Sequence, residues 1–176
     1  LEGVAVPRQM VVPLILATMA EVAQYGVASS LGEIGAQMTD PDSCTGAAGK
    51  EVYRVAYTCS MLAVPLGSIA SSLVACPRWL FKIFSAVQCT SAILVGICAL
   101  GLIPAMAPFW QSKGGQALYV ICFTLVAGFE GYLFTMAFRY IGDAEDISTA
   151  LRQSSSRLLS LFGVLAVNPI SFALGY

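Results

Sequence analysis

A chain of 176 residues that is 57% hydrophobic and 11% charged, with a mean hydropathy of +0.78, has less than half the charged fraction of a soluble domain, about 25%. Its net charge of −1 provides no basic surface for a nucleic acid or an anionic lipid face. The composition is that of a membrane protein, with room for about five helical spans of roughly 20 residues and short loops.

The spans can be placed in chain order within a single membrane domain covering 1–176. They are expected at about 10–31, 52–75, 79–103, 117–141 and 156–173. Each is apolar enough to cross hydrocarbon as a helix, the open-chain geometry that satisfies its own backbone there. The expected fold class is therefore all-α, a polytopic helical membrane protein. The connections carry turn chemistry: Asp40-Pro41-Asp42, Cys76-Pro77-Arg78, Pro104 through Gly115, and Gly142-Asp143. Asp146 or Ser148 is placed to cap the start of the fifth helix. Because the first residue is Leu1 and Tyr176 closes an apolar run, the chain reads as a piece of a longer protein or as a processed subunit.

The basic residues suggest an orientation. With the amino end on the cytoplasmic side, or its matrix or stromal equivalent, that side carries Arg8, Arg78, Lys82, Arg139, Arg152 and Arg157. The opposite side, which would hold the carboxyl end, carries Lys50, Arg54 and Lys113. The asymmetry obeys the positive-inside rule. Trp79, Trp110 and Tyr176 lie near span ends, where aromatic anchors sit.

Two acids stand inside the spans, Glu21 and Glu130. An ionised carboxylate in hydrocarbon costs several kcal/mol, so such residues face a bundle interior, a cavity or a partner. On the first helix Thr18, Glu21, Tyr25 and Ser29 follow spacings of three and four, which place them on one face with Gln24 beside it. That face lines either a cavity or a helix contact. Glu130 has an apolar face instead, with Phe123, Ala127, Phe134 and Ala137. Arg139 lies nine residues on and points elsewhere. Glu130 must meet a cation or polar group on another helix, or be held protonated where water is absent. Either a structural pair or a proton or substrate site satisfies this requirement. Near span ends, Arg54, Lys82, Arg139 and Arg157 read as snorkelling side chains. Gln153, Ser156, Ser160 and Gly163 form a stripe of polar and small residues on the fifth helix, read as a packing surface.

The chain contains no histidine, which excludes histidine-ligated haem and the usual histidine-containing metal sites within it. Its six cysteines, Cys44, Cys59, Cys76, Cys89, Cys98 and Cys122, show no metal spacing. Five of them read as small hydrophobes in or beside spans. Cys44 lies in a loop, where it could pair with a cysteine outside this sequence. No phosphate-binding loop or nucleophile elbow is present, so neither a cofactor, a metal nor an enzymatic activity is expected.

Several short motifs share a common likeness. Tyr25-Gly26-Val27 is followed by a loop with Ser43-Cys44, then Gly49-Lys50 with Tyr53, and then Val64-Pro65-Leu66. Gly131 opens an aromatic run to Phe138, and Ser160 to Pro169 reads SLFGVLAVNP. From Glu21 to Pro169 this pattern resembles the carboxyl-terminal five helices of the eukaryotic riboflavin transporters. Glu130 and the acidic Asp143, Glu145, Asp146 loop depart from the family pattern, and no flavin-binding residue carries over. The resemblance implies half of a major-facilitator-like carrier with a cytoplasmic amino end. Alternating access requires a second half, with solute between the two near the midplane.

Two functions remain open. One is a solute carrier moving a small vitamin-like molecule, with Glu21, Tyr25 and Glu130 along the pathway. The alternative is a non-catalytic accessory subunit of a larger membrane complex. The expected partners are the lipid bilayer and either a missing amino-terminal half or other membrane subunits. A small-molecule solute is added in the carrier reading.

Overall fold

The structure, a computed structural model, describes residues 8–29, 31–32, 49–74 and 76–143. The span expected at 156–173, with Ser156, Ser160 and Gly163, lies outside the described residues, as do Cys44, Asp146 and Tyr176. The chain is an all-α helical membrane protein. Helix α1 runs Arg8–Glu21 and continues as a π-helical segment, Val22–Ser29. Helix α2 is Gly49–Leu73 and α3 is Arg78–Ala99. A 3₁₀ turn, Pro104–Met106, leads into the short α4, Ala107–Gln111, and α5 is Lys113–Gly142. Four stretches among the described residues are long and apolar enough to cross a membrane: Val11–Ala28, Gly49–Leu73, Trp79–Ala99 and Lys113–Gly142.

Local chemistry sets the ends. The third span stops at Ala99, short of residue 103, because Gly101 turns left-handed with φ +59°. Its amide bonds Cys98 O at 3.2 Å and the Leu102 amide bonds Ile97 O at 3.1 Å, the paired contacts of a Schellman cap. The fourth span begins at Lys113, earlier than residue 117, because Ser112 Oγ accepts the Gly115 amide at 3.2 Å as an N-cap.

Helix α5 is the centre of the bundle, and α1, α2, α3 and α4 all pack on it. The closest approach is with α2. A Cβ added at Gly67 would overlap the Gly128 carbonyl, and one at Gly131 would overlap the Val64 carbonyl. Two backbones can come this near only where side chains vanish. The α2 face involved is small along its length: Ala56, Ser60, Ala63, Gly67 and Ser71. Ser68 Oγ also donates to Gly131 O across the contact at 3.2 Å. Away from that contact, the later turns of α2 present a mostly apolar exposed face, with Met61, Leu62, Leu66, Ile69 and Leu73 between 55% and 78% accessible. In lipid that face needs no covering, because hydrocarbon solvates it as well as protein would.

Hydroxyls within the spans are paired locally. Thr18, Thr58, Thr90 and Thr124 donate to the carbonyl four residues back, and Ser60, Ser71 and Ser72 to the one three back. This back-bonding hides a donor that lipid cannot satisfy.

Two apolar clusters fill the interior. One gathers Leu14, Ala17, Ala20, Phe81, Leu133, Met136 and Ile141 near the α2–α3 turn. The other gathers Ala23, Ala28, Ala92, Val95, Trp110, Tyr119, Phe123 and Val126 at the opposite end. Trp79 is 64% exposed, as suits an interfacial anchor, whereas Trp110 is 4% exposed and belongs to the second cluster. The short helix α4 folds Trp110 back under the bundle instead of leaving it at the lipid surface.

Because a Cβ at Gly131 strikes backbone, Gly131→Ala should lower stability by about 1–3 kcal/mol. Gly142→Ala, where a Cβ meets nothing within 4 Å, should stay within about 0.5 kcal/mol of the parent. Thermal unfolding of the purified protein in one detergent compares them directly.

Candidate functional site

A thin polar layer lies between the two apolar clusters. On α1 it falls at Glu21, between Ala20 of one cluster and Ala23 of the other. On α5 it falls at Glu130, between Val126 and Leu133, and on α3 at Gln88, between Phe81 and Ala92. Each of these residues lies near the middle of its span.

The two acids meet. The Glu21 and Glu130 carboxyl groups are close enough to interact with each other, with Glu130 only 4% exposed and Glu21 half-buried. Two neighbouring carboxylates repel when both are ionised, and burial strengthens that repulsion.

Gln88 fixes the layer to the backbone. Its amide nitrogen donates to Ala20 O at 3.1 Å and to Val126 O at 2.9 Å, which ties α3 to both acid-bearing helices. Ser85, Gln88 and Ser91 are all buried on one α3 face. Sequence reasoning passed over Gln88, although the spacing of three among these polar residues in an apolar span was a usable signal. Three buried oxygens, Gln24 Oε1, Gln88 Oε1 and Glu130 Oε2, have no hydrogen-bond donor among the described residues.

The stripe expected on the first helix is displaced. The inward line is Leu14, Ala17, Ala20, Gln24 and Ala28, all buried. Thr18 and Glu21 lie on its flank half-buried, and Tyr25 is 41% exposed. The expectation assumed α-helical spacing throughout. After Glu21 the segment winds as a π-helix, a rare geometry that often marks functional positions. The one-position offset is already present at Ala17 and Ala20 in α1, so it is set by which face of α1 packs inward, and the π segment continues it with Gln24 buried and Tyr25 at the edge. Tyr25 remains in electrostatic reach of Glu130, Glu21 and Tyr57.

The arginines differ in their roles. Arg54 pairs with Glu51 at 3.1 Å on the exposed surface. Arg139 reaches Ser71 O at 3.3 Å and Asp143 at 3.8 Å. With Tyr132 on Val74 O at 2.9 Å and Tyr140 on Cys76 O, it caps the free carbonyls at the end of α2. The five described cysteines are unbridged, and no group of three or more His, Cys, Asp or Glu among the described residues is arranged to hold a metal. No protein-family model matches this chain, and no curated protein or solved structure matches it either.

Glu21→Leu or Glu130→Leu should each leave a buried carboxyl without its partner and cost about 1–3 kcal/mol. The double variant should be destabilised by less than the sum of the two, with a coupling of about 0.5–3 kcal/mol. Unfolding midpoints of the four proteins in one detergent measure it.

Proposed function

We propose that this chain is part of a membrane solute carrier resembling the riboflavin transporters, and that the Glu21–Glu130 pair exchanges protons during transport of a small vitamin-like solute. The two carboxyl groups brought together at mid-span carry this reading. A scaffold gains little from burying two acids together, since an apolar pair of similar volume packs a core as well or better. A proton-driven carrier needs a titratable group shielded from both aqueous faces. In a major-facilitator-like arrangement the four described helices contribute one wall, and a second half closes the pathway. Tyr25, at the open edge of the layer, is the residue placed to meet solute.

The alternative, a non-catalytic accessory subunit, draws support from the broad exposed face of α2, which would suit a neighbouring helix as well as lipid. Uptake separates the two. Glu130→Gln keeps shape and hydrogen bonding and removes the titratable proton. In reconstituted full-length protein it should assemble normally, take up riboflavin more slowly, and lose the acceleration given by an inward proton gradient. Unchanged uptake, or none by the parent protein, assigns the pair a structural role and favours the subunit.

The same reading places the α2–α3 turn on the cytoplasmic side. The bonds from Tyr132, Arg139 and Tyr140 hold that turn beside the carboxyl end of α5. Pro77→Cys should label with an impermeant maleimide from the cytoplasmic side and Leu102→Cys from the other. Native Cys76 should stay silent, because burial pushes its thiol pKa up, offset only in part by Tyr132, and thiolate is the reactive form. Labelling of both variants from one side overturns the arrangement.

A further inference from the structure

Beside the line where α2 and α5 touch runs a cleft of about 420 Å³, within the size range of small-molecule pockets. Its α2 wall is small, with Ala63, Gly67 and Ala70. The facing wall is aromatic, with Phe84 of α3 and Phe129 and Tyr132 of α5. These rings brace one another, the Phe84 centroid lying 5.1 Å from that of Phe129 and 5.6 Å from that of Tyr132. The hydroxyls in the cleft are already engaged: Thr124 donates to Val120 O at 2.7 Å and Tyr132 to Val74 O at 2.9 Å. A polar solute entering here would lose its water and gain no donor in return. An alkyl chain meets no such cost.

The cleft leads toward a cation. Along α5 it spans residues 124–132, about 12 Å of axis, and Arg139 follows two turns past Tyr132 on the same face. Helical side chains lean toward the amino end, so the guanidinium turns back toward the cleft and donates to Ser71 O at 3.3 Å, beside Ala70. Arg139 is also within electrostatic reach of Tyr132. Helix α5 has 30 residues and is about 45 Å long, against roughly 30 Å of hydrocarbon. Its last turns, Arg139 included, therefore reach headgroup depth. The acid beside Arg139 is Asp143, 3.8 Å away and 72% exposed, a long surface pair worth little. Of the Arg139 side chain 45% stays accessible. Lys82, two residues before Phe84, is exposed on the far side of α3.

We infer that this cleft holds an acyl chain of an anionic phospholipid whose phosphate is bound by Arg139, in the leaflet on the side of the α2–α3 turn. Charge complementarity selects the lipid. A guanidinium presents a planar fork of donors that matches a phosphate, and the bond to Ser71 O uses Nη1 alone. A zwitterionic headgroup brings its own cation beside the arginine and so binds less well. The apolar cleft supplies the rest of the site, because its small α2 wall leaves room for methylenes against the rings of Phe84 and Phe129. A lipid seated there fills the furrow between α2 and α5 and braces their contact. The site depends on the packing of α2, α3 and α5 and not on the acids at mid-span.

Native mass spectrometry of the purified full-length protein tests this, with phosphatidylglycerol or phosphatidylcholine of identical chains titrated in detergent. Phosphatidylglycerol should bind about fivefold more tightly, the worth of one basic side chain at a membrane surface. Arg139→Gln should remove that preference, Arg139→Lys should keep most of it, and Lys82→Gln should leave it intact. Ala70→Phe places a ring inside the cleft and keeps Arg139, so it should weaken both lipids together and leave their ratio unchanged. Equal affinity of the parent for the two lipids overturns the proposal. A preference that survives Arg139→Gln, or one lost in Lys82→Gln, does the same. Binding that Ala70→Phe leaves unchanged removes the chain from the cleft and with it the proposal. A lipid-free dimer that Ala70→Phe dissociates assigns the cleft to a second copy instead.

Discussion

The bundle is governed by the absence of water. A polar group inside hydrocarbon has only other protein groups to bond, so each one must be met by the chain or pay several kcal/mol. The structure meets that constraint at three levels. Threonine and serine hydroxyls bond back to their own helices, and Ser68 crosses to Gly131 O. The carbonyls left free where α2 ends are taken by Tyr132, Arg139 and Tyr140. The acids at mid-span lie within reach of each other. Among the described residues these interhelical bonds, the Gln88–Ala20 bond apart, run through α5.

Much of this was legible in the residues. Hydropathy and turn chemistry located the four described spans to within a few residues, because both the bilayer thickness and the backbone demand long apolar helices. The oddity of Glu21 and Glu130 was equally plain, since an acid in such a segment has no cheap explanation. Their meeting was not legible. It depends on how α1 and α5 pack, and on a face that the α-periodic reading placed one position away from the true inward line. The polar residues marked a stripe, but the small residues Ala17 and Ala20 beside it are what α1 turns inward. Arg139 was read as snorkelling, and its role as a cap requires knowing that the α2–α3 turn folds beside α5. Trp110 was assigned to the membrane interface on its position alone, whereas the small helix α4 turns it inward.

The layer at Glu21, Gln88 and Glu130 sits where a membrane protein can least tolerate loose polarity. Apolar clusters above and below isolate it from both ends of the bundle, and Gln88 holds the acid-bearing helices in register by their backbones.

The α2–α5 contact has one further consequence. Long side chains lose rotamer freedom when helices associate, by as much as about 1.5–2 kcal/mol each, whereas glycine and alanine lose none. Along the α2 face at Ala56, Ser60, Ala63, Gly67 and Ser71, almost no side-chain entropy is surrendered on docking. The two helices can therefore be held by close backbone packing and a few hydrogen bonds such as Ser68 to Gly131 O, in a solvent that gives apolar surfaces no reason to come together.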